Sequence, residues 1–160
     1  MAVTTIKTII PAALWVNYLA GGSRVLPDEQ GLNIPIDAAM ALHSDAGKRS
    51  DDSTVGTLGI YYTNGGRNYE DGTPRINSRM LFRRNCTDYL MRQISSDIRQ
   101  TFNSDWTRRS MWDKSYVEAR VPEVPTSLIE LMSHQNFGDM QYGLDPAFRF
   151  TVGRSIYKAM

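Results

Sequence analysis

The sequence predicts an α/β fold, a sheet flanked by helices. Three features lead there: short apolar runs of strand length, one long segment with apolar residues at every fourth position, and Gly, Pro and Asn signals between them. At 160 residues the chain has the size of one domain, and 41% hydrophobic with 22% charged residues suits an ordinary buried core.

The start of the chain carries a mixed message. Lys7, the stretch 8–16 and Ala20-Gly21-Gly22 together have the outline of a signal peptide. Pro11 interrupts the apolar run, however, and Trp15, Asn17 and Tyr18 crowd the place where small residues should precede cleavage. Residues 1–13 therefore read as a ragged or artificial edge, and residues 14–160 as one folded unit. No window approaches the roughly 20 apolar residues of a membrane-spanning helix.

The first predicted strand covers residues 34–42, an apolar run that ends abruptly in His43-Ser44-Asp45-Ala46-Gly47. Residues 55–63 return as a second strand with Leu58, Ile60 and Tyr62 alternating, closed by an Asn64-Gly65-Gly66 turn. Asn77 or Ser78 is placed to cap a long helix in which Phe82, Cys86, Leu90, Ile94, Ile98 and Phe102 form one stripe and Met91 fills the next row. Residues 106–114 are a connector rich in Arg and Trp, and the alternation in 116–121 predicts a strand. Pro122 and Pro125 bracket a turn before a buried strand over 127–132. Asp145-Pro146 then starts a final helix whose face holds Phe148, Val152, Ile156 and Met160.

Charge excludes one class of partner. Eighteen Lys and Arg against 17 Asp and Glu leave a net charge of +1, which gives no electrostatic reason to expect nucleic acid. The single Cys86 rules out an internal disulfide framework, and its spacing from Leu90 and Ile94 makes it a small buried residue of the helix stripe.

Two residues stand out chemically. The chain has only His43 and His134, and His43 sits among polar and flexible neighbours at a predicted strand end, the edge where sites form in α/β sheets. Glu130 is flanked by Leu128, Ile129, Leu131 and Met132, so a carboxylate interrupts a strand-length apolar run. Buried charge is costly unless paired or bound to metal, and desolvation raises a carboxyl pKa in the direction that suits a proton acceptor and donor. The plainer alternatives are a structural His43 and a Glu130 turned outward to an Arg or to solvent. GxSxG, HExxH, Walker and GxGxxG patterns are all missing. Trp15, Trp106, Trp112 and the eight Tyr offer either sugar-stacking surfaces or core.

Ala41-Leu42-His43-Ser44-Asp45-Ala46 resembles the strand-end His motif of zinc N-acetylmuramoyl-L-alanine amidases, and residues 125–139, with Glu130, resemble their later segment carrying the catalytic Glu. More closely, residues 15–22, 31–47 and 106–157 are similar to the last segment of secreted bacterial proteins whose amidase-like domain is interrupted by a golvesin-like β-domain, some of them named xanthan lyase. The resemblance covers almost all of the chain after residue 14. It implies a phosphorylase/hydrolase-like amidase fold, incomplete at its amino-terminal side, so that residues 14–160 are the carboxyl-terminal part of the catalytic domain.

By the same resemblance His43 is a zinc ligand and Glu130 the general base, acting with zinc on the amide between the muramic-acid lactyl group and the first Ala of the stem peptide. The implied partners are peptidoglycan or a related glycan and the amino-terminal segment of the same domain, in an extracellular or periplasmic setting. That segment would bring the family's other ligands, an early His in a Gly-His-Gly type loop and a helical Glu, which have no counterpart here. The sequence also has Asp45 where the family pattern more often has Asn. Whether Asp45 or His134 completes a makeshift metal site stays open. The alternatives are a non-catalytic cell-wall or polysaccharide-binding module and, more weakly, a polysaccharide lyase.

Overall fold

The structure, a computed structural model, describes residues 12–63 and 78–160. The turn expected at Asn64-Gly65-Gly66 and the cap at Asn77 lie outside the described residues. The elements run α1 (Ala12–Ala20), β1 (Ala39–Asp45), β2 (Leu58–Tyr61), α2 (Ser78–Thr101), β3 (Trp112–Asp113), α3 (Val117–Arg120), β4 (Thr126–Ser133), α4 (Phe137–Gly143) and α5 (Pro146–Ala159). Helices flank a four-stranded sheet of order β1-β4-β2-β3, so the predicted fold class holds.

The sheet is mixed. β1 runs parallel to β4, β2 runs antiparallel to β4, and β3 pairs in parallel with β2. Strand β4 is central, and its apolar run is buried because neighbours flank it on both sides and helices cover it. Side-chain alternation then divides its residues between two faces. Ile129 and Leu131 join Leu90, Met91, Ile94 and Ile98 of α2, Trp106, and Phe148 and Val152 of α5 in the main core. Leu128 joins Leu58, Ile60 and the partly buried Ala41 in a smaller cluster. Glu130 shares the parity of Leu128, so it projects away from the main core.

Helix α2 rests directly on β2. A Cβ at Gly59 would lie 2.6 Å from Thr87 Cγ2 and 2.8 Å from Met91 Cγ, so no larger residue fits without displacing these side chains. The predicted stripe is seated as expected from Leu90 to Ile98, with Cys86 and Phe102 partly buried against it. Phe82 departs from it and is 51% exposed.

Several boundaries differ from expectation. Strand β1 starts at Ala39 rather than residue 34, since Pro35 lacks an N–H for the ladder and pairing begins where Ala39 N–H donates to Pro125 O. The strand continues through His43, Ser44 and Asp45, which therefore belong to it. Residues 116–121, expected as a strand, form the short helix α3. Tyr116 is extended at its N-cap, and Glu118 in the first turn and Arg120 in the last complement the helix dipole. Trp106, in the expected connector, is fully buried, the core alternative for the aromatics, and donates from Nε1 to Thr57 Oγ1 at 2.9 Å.

Helices α1 and α4 were not anticipated. Asn136 caps α4 by accepting from Asp139 N–H, and α5 starts as predicted, with Asp145 accepting from Ala147 N–H and Pro146 in the first turn.

Helices α2 and α5 are joined by a buried charge. Asp97 accepts from Lys158 Nζ and Ser155 Oγ at 2.8 Å each and from Gln93 Nε2 at 2.9 Å. Burial alone would raise this carboxyl, but the bonds from Lys158, Ser155 and Gln93 outweigh it and hold it below its ordinary value of 3.8. A depressed carboxyl stabilises the fold above its unfolded pKa and loses that contribution as pH falls through the folded pKa. Asp97→Asn should therefore lose about 1–3 kcal/mol of stability at neutral pH. The gap from the unsubstituted chain should shrink as pH falls below about 4, which denaturant titrations at several pH values would measure.

Candidate functional site

Parallel pairing of β1 and β4 sets His43 directly opposite Glu130. Both side chains leave the sheet on the face away from the main core, and His43 Nδ1 lies 3.9 Å from Glu130 Oε1. The other ring nitrogen, Nε2, lies 3.7 Å from Oε1 of Glu118 on α3. The imidazole is thus flanked by two carboxylates. A groove of about 240 Å³ between α1, the free edge of β1 and α3 opens on His43 and Glu118.

Glu130 is the most enclosed member, its side chain 12% exposed against 40% for His43. Its Oε2 is buried with no hydrogen-bond partner among the described residues. Burial pushes its carboxyl above the ordinary value of 4.5; the charges of His43 and Arg109 pull it down, and those of Asp45 and Glu118 push it up. A buried polar atom without a partner is expensive, and such costs persist where function uses them.

Past His43 the β1–β4 register shifts, His43 pairing with Glu130 and Asp45 with Ser133. Such an irregularity re-aims side chains at a strand end. Asp45 Oδ2 accepts from Arg109 Nη1 at 2.6 Å, and this hydrogen bond, against the opposing effect of burial, holds the Asp45 carboxyl below its ordinary value. His134 lies beyond the end of β4, exposed, with Nδ1 3.1 Å from Ser44 Oγ and 3.2 Å from Ser44 O. The predicted pair is brought together, then, while Asp45 and His134 are engaged elsewhere. Glu118 and Arg109 were missed: one lay in a segment read as strand, the other in a connector without periodicity.

The chain matches no protein-family model and no curated protein sequence. It is similar in structure to N-acetylmuramoyl-L-alanine amidases. AmiC2 of Nostoc punctiforme superimposes with a TM-score of 0.56 at 13% identity, covering 77% of this chain and 55% of that one. The N-acetylmuramoyl-L-alanine amidase of Clostridium difficile 630 gives 0.55 at 14% identity, over 77% and 55%. Ami1 of Mycobacterium smegmatis gives 0.56 at 14% identity, over 77% and 51%. The fold is therefore amidase-like, and the chain spans about half the length of these solved structures.

Zinc, which the resemblance implies, can be tested against the side chains present. Among the described residues no group of three or more His, Cys, Asp or Glu is arranged to hold a metal ion. The nitrogens of His43 face different carboxylates, Asp45 is bound to Arg109, and His134 is turned to Ser44. A catalytic zinc keeps three protein ligands, so the described residues do not fit a complete zinc site, and neither Asp45 nor His134 makes up the deficit.

The enclosed carboxylate of Glu130, with its unpartnered Oε2, has a measurable consequence. A carboxyl raised in the folded state favours folding most at low pH and loses that advantage as pH rises through its folded pKa. Glu130→Gln should therefore raise the melting temperature at pH 7 by roughly 3 °C, or about 1 kcal/mol. The difference should vanish below the ordinary value of 4.5, and thermal melts of both forms at pH 4 and pH 7 would check it.

Proposed function

We propose that the chain carries the base-bearing part of a zinc-dependent peptidoglycan amidase, a hydrolase that cleaves the amide joining the muramic-acid lactyl group to the first Ala of the stem peptide. The observation that carries this reading is Glu130, enclosed on β4 with one unpartnered oxygen and facing His43 in register across the β1–β4 pair.

In this reading Glu130 is the general base. It accepts a proton from the water that attacks the scissile carbonyl carbon. It then returns that proton to the amine nitrogen as the carbon–nitrogen bond breaks, leaving a carboxylic acid and a free amine. A carboxyl raised by desolvation is suited to both transfers. His43 is the one zinc ligand this chain contributes. The remaining ligands come from the amino-terminal segment that the resemblance places ahead of this region. The outer edge of β1, unpaired among the described residues and with Leu42 48% exposed, is the natural place for that segment to add. The setting is the cell wall, extracellular or periplasmic. None of the helices among the described residues is long and apolar enough to cross a membrane.

The test is release of stem peptide from purified muropeptides with zinc, measured on this chain and on the full product of its reading frame. Glu130→Gln in the active form should lower kcat by at least about 100-fold with little change in KM. His43→Ala should lower zinc content as well as activity. Full activity in Glu130→Gln would remove the proposed base. The lack of a complete ligand set favours a second reading, a glycan-binding module, and glycan affinity that is unaffected by chelation, with no hydrolysis by the full-length product, would favour that one.

A further inference from the structure

We propose that Arg109, held by Asp45 and backed by Trp112, recognises a carboxylate of the substrate beside Glu130. The proposal rests on the peptidoglycan reading of the same site and adds to it an acidic substrate group.

Arg109 enters the site through the sheet. Thr57, just before β2, bridges to Arg108, and Arg109 N–H donates to Thr57 O at 2.9 Å. Leu58, the next residue, pairs with Glu130. From there the guanidinium reaches Asp45 on β1, so the ion pair joins the two sides of β4, the strand that carries Glu130.

Asp45 engages only Nη1. Among the described residues Nε and Nη2 of Arg109 have no hydrogen-bond partner, and neither is a buried atom left unsatisfied. The side chain is 21% exposed. The guanidinium carbon lies 5.6 Å from the centre of the Trp112 ring, and Trp112 is 40% exposed on β3.

Each contact limits what Arg109 does next. Asp45 and the indole restrain the position of the guanidinium, which reduces the entropy lost when a ligand binds. The unused N–H groups form a fork that matches the two oxygens of a carboxylate and not a single amide oxygen. The exposed part of the Trp112 ring offers an apolar surface beside the fork for an alanyl methyl or a sugar face.

The probes are N-acetylmuramoyl-L-Ala-D-Glu and the same compound with both glutamate carboxylates converted to carboxamides, titrated calorimetrically onto this chain with chelator present to prevent turnover. The unsubstituted chain should bind the diacid about tenfold more tightly than the diamide, the scale of one charge-assisted bidentate contact. Arg109→Gln should bring that ratio to about one without weakening the diamide. Arg109→Lys, which keeps a cation for Asp45, should preserve the melting temperature while losing most of the preference. Trp112→Leu should weaken both probes alike.

A ratio of one in the unsubstituted chain, or an unchanged ratio in both Arg109 variants, would overturn the subsite and leave the amidase reading standing. If neither muramoyl probe binds but the dipeptide L-Ala-D-Glu does, and does so through Arg109, the subsite stands and the peptidoglycan reading falls. Failure of all three probes to bind overturns the subsite as well.

Discussion

The parallel pairing of β1 with β4 is the constraint on which the site depends. Side chains alternate with a period of two along a strand, so a slip of one residue in this register would turn either His43 or Glu130 to the opposite face. Several polar contacts hold the register at both ends. At the start, Pro125 O accepts from Ala39 N–H, and Arg83 donates to the carbonyls of Ala119, Pro122 and Val124 in the segment leading into β4. At the far end, the buried Asp139 accepts from Ser133 N–H, Val55 N–H and Gly56 N–H, tying the end of β4 to the approach of β2. Ser133 also donates from its hydroxyl to Gly47 O, just beyond β1. The polar side chains in these clamps are buried and paired, which is the condition under which burying them is tolerable.

The two faces of the sheet carry different burdens. One is filled by α2 and α5 with apolar side chains, and it holds most of the large buried residues. The other has the small Leu58, Ile60 and Leu128 cluster and next to it the carboxylates of Glu118 and Glu130 around His43. Stability is concentrated where there is no chemistry to perform. The face with the site accepts an unpartnered carboxylate oxygen and an exposed imidazole, and the cost is carried by a core on the far side of the same strand. A single alternating strand, β4, serves both purposes: Ile129 and Leu131 pack, while Glu130 between them does not.

The same alternation explains how much of this was legible beforehand. Residues 127–132 declared a buried strand through apolar content, and Glu130 declared an anomaly within it. The four-residue stripe declared α2, and Asp145-Pro146 the start of α5. Each of these signals is local, set by residues close together in the chain. The misread segments depend on contacts made at a distance. Residues 116–121 alternate well enough for a strand, yet only Ala119 is buried in α3, and the segment is fixed by Arg83 from a helix more than 30 positions earlier. Whether Trp106 was stacking surface or core stayed open because the rings it packs on, Tyr142 and Phe148, lie far along the chain. His43 and Glu130 were both visible as residues. Their convergence could only be posited, because it depends on which strands are neighbours. Arg109 and Glu118 gave no local signal at all.

Asp45 brings these threads together. In the sequence it was a departure from the amidase pattern and an additional acidic group near a presumed metal ligand. In the structure its carboxylate is turned to Arg109, whose hydrogen bond holds it below its ordinary value, while its charge still pushes the Glu130 carboxyl up. The acid at position 45 thus adds negative charge near Glu130 and at the same time holds the cation of Arg109 there. Asp45 is an anchor for that cation at the strand end, and Arg109 is one of the two groups whose charge favours ionised Glu130. Asp45 and Arg109 are best understood as one unit, since an Arg at 109 without the acid would be less ordered, and the acid without the Arg would push Glu130 further toward its protonated form.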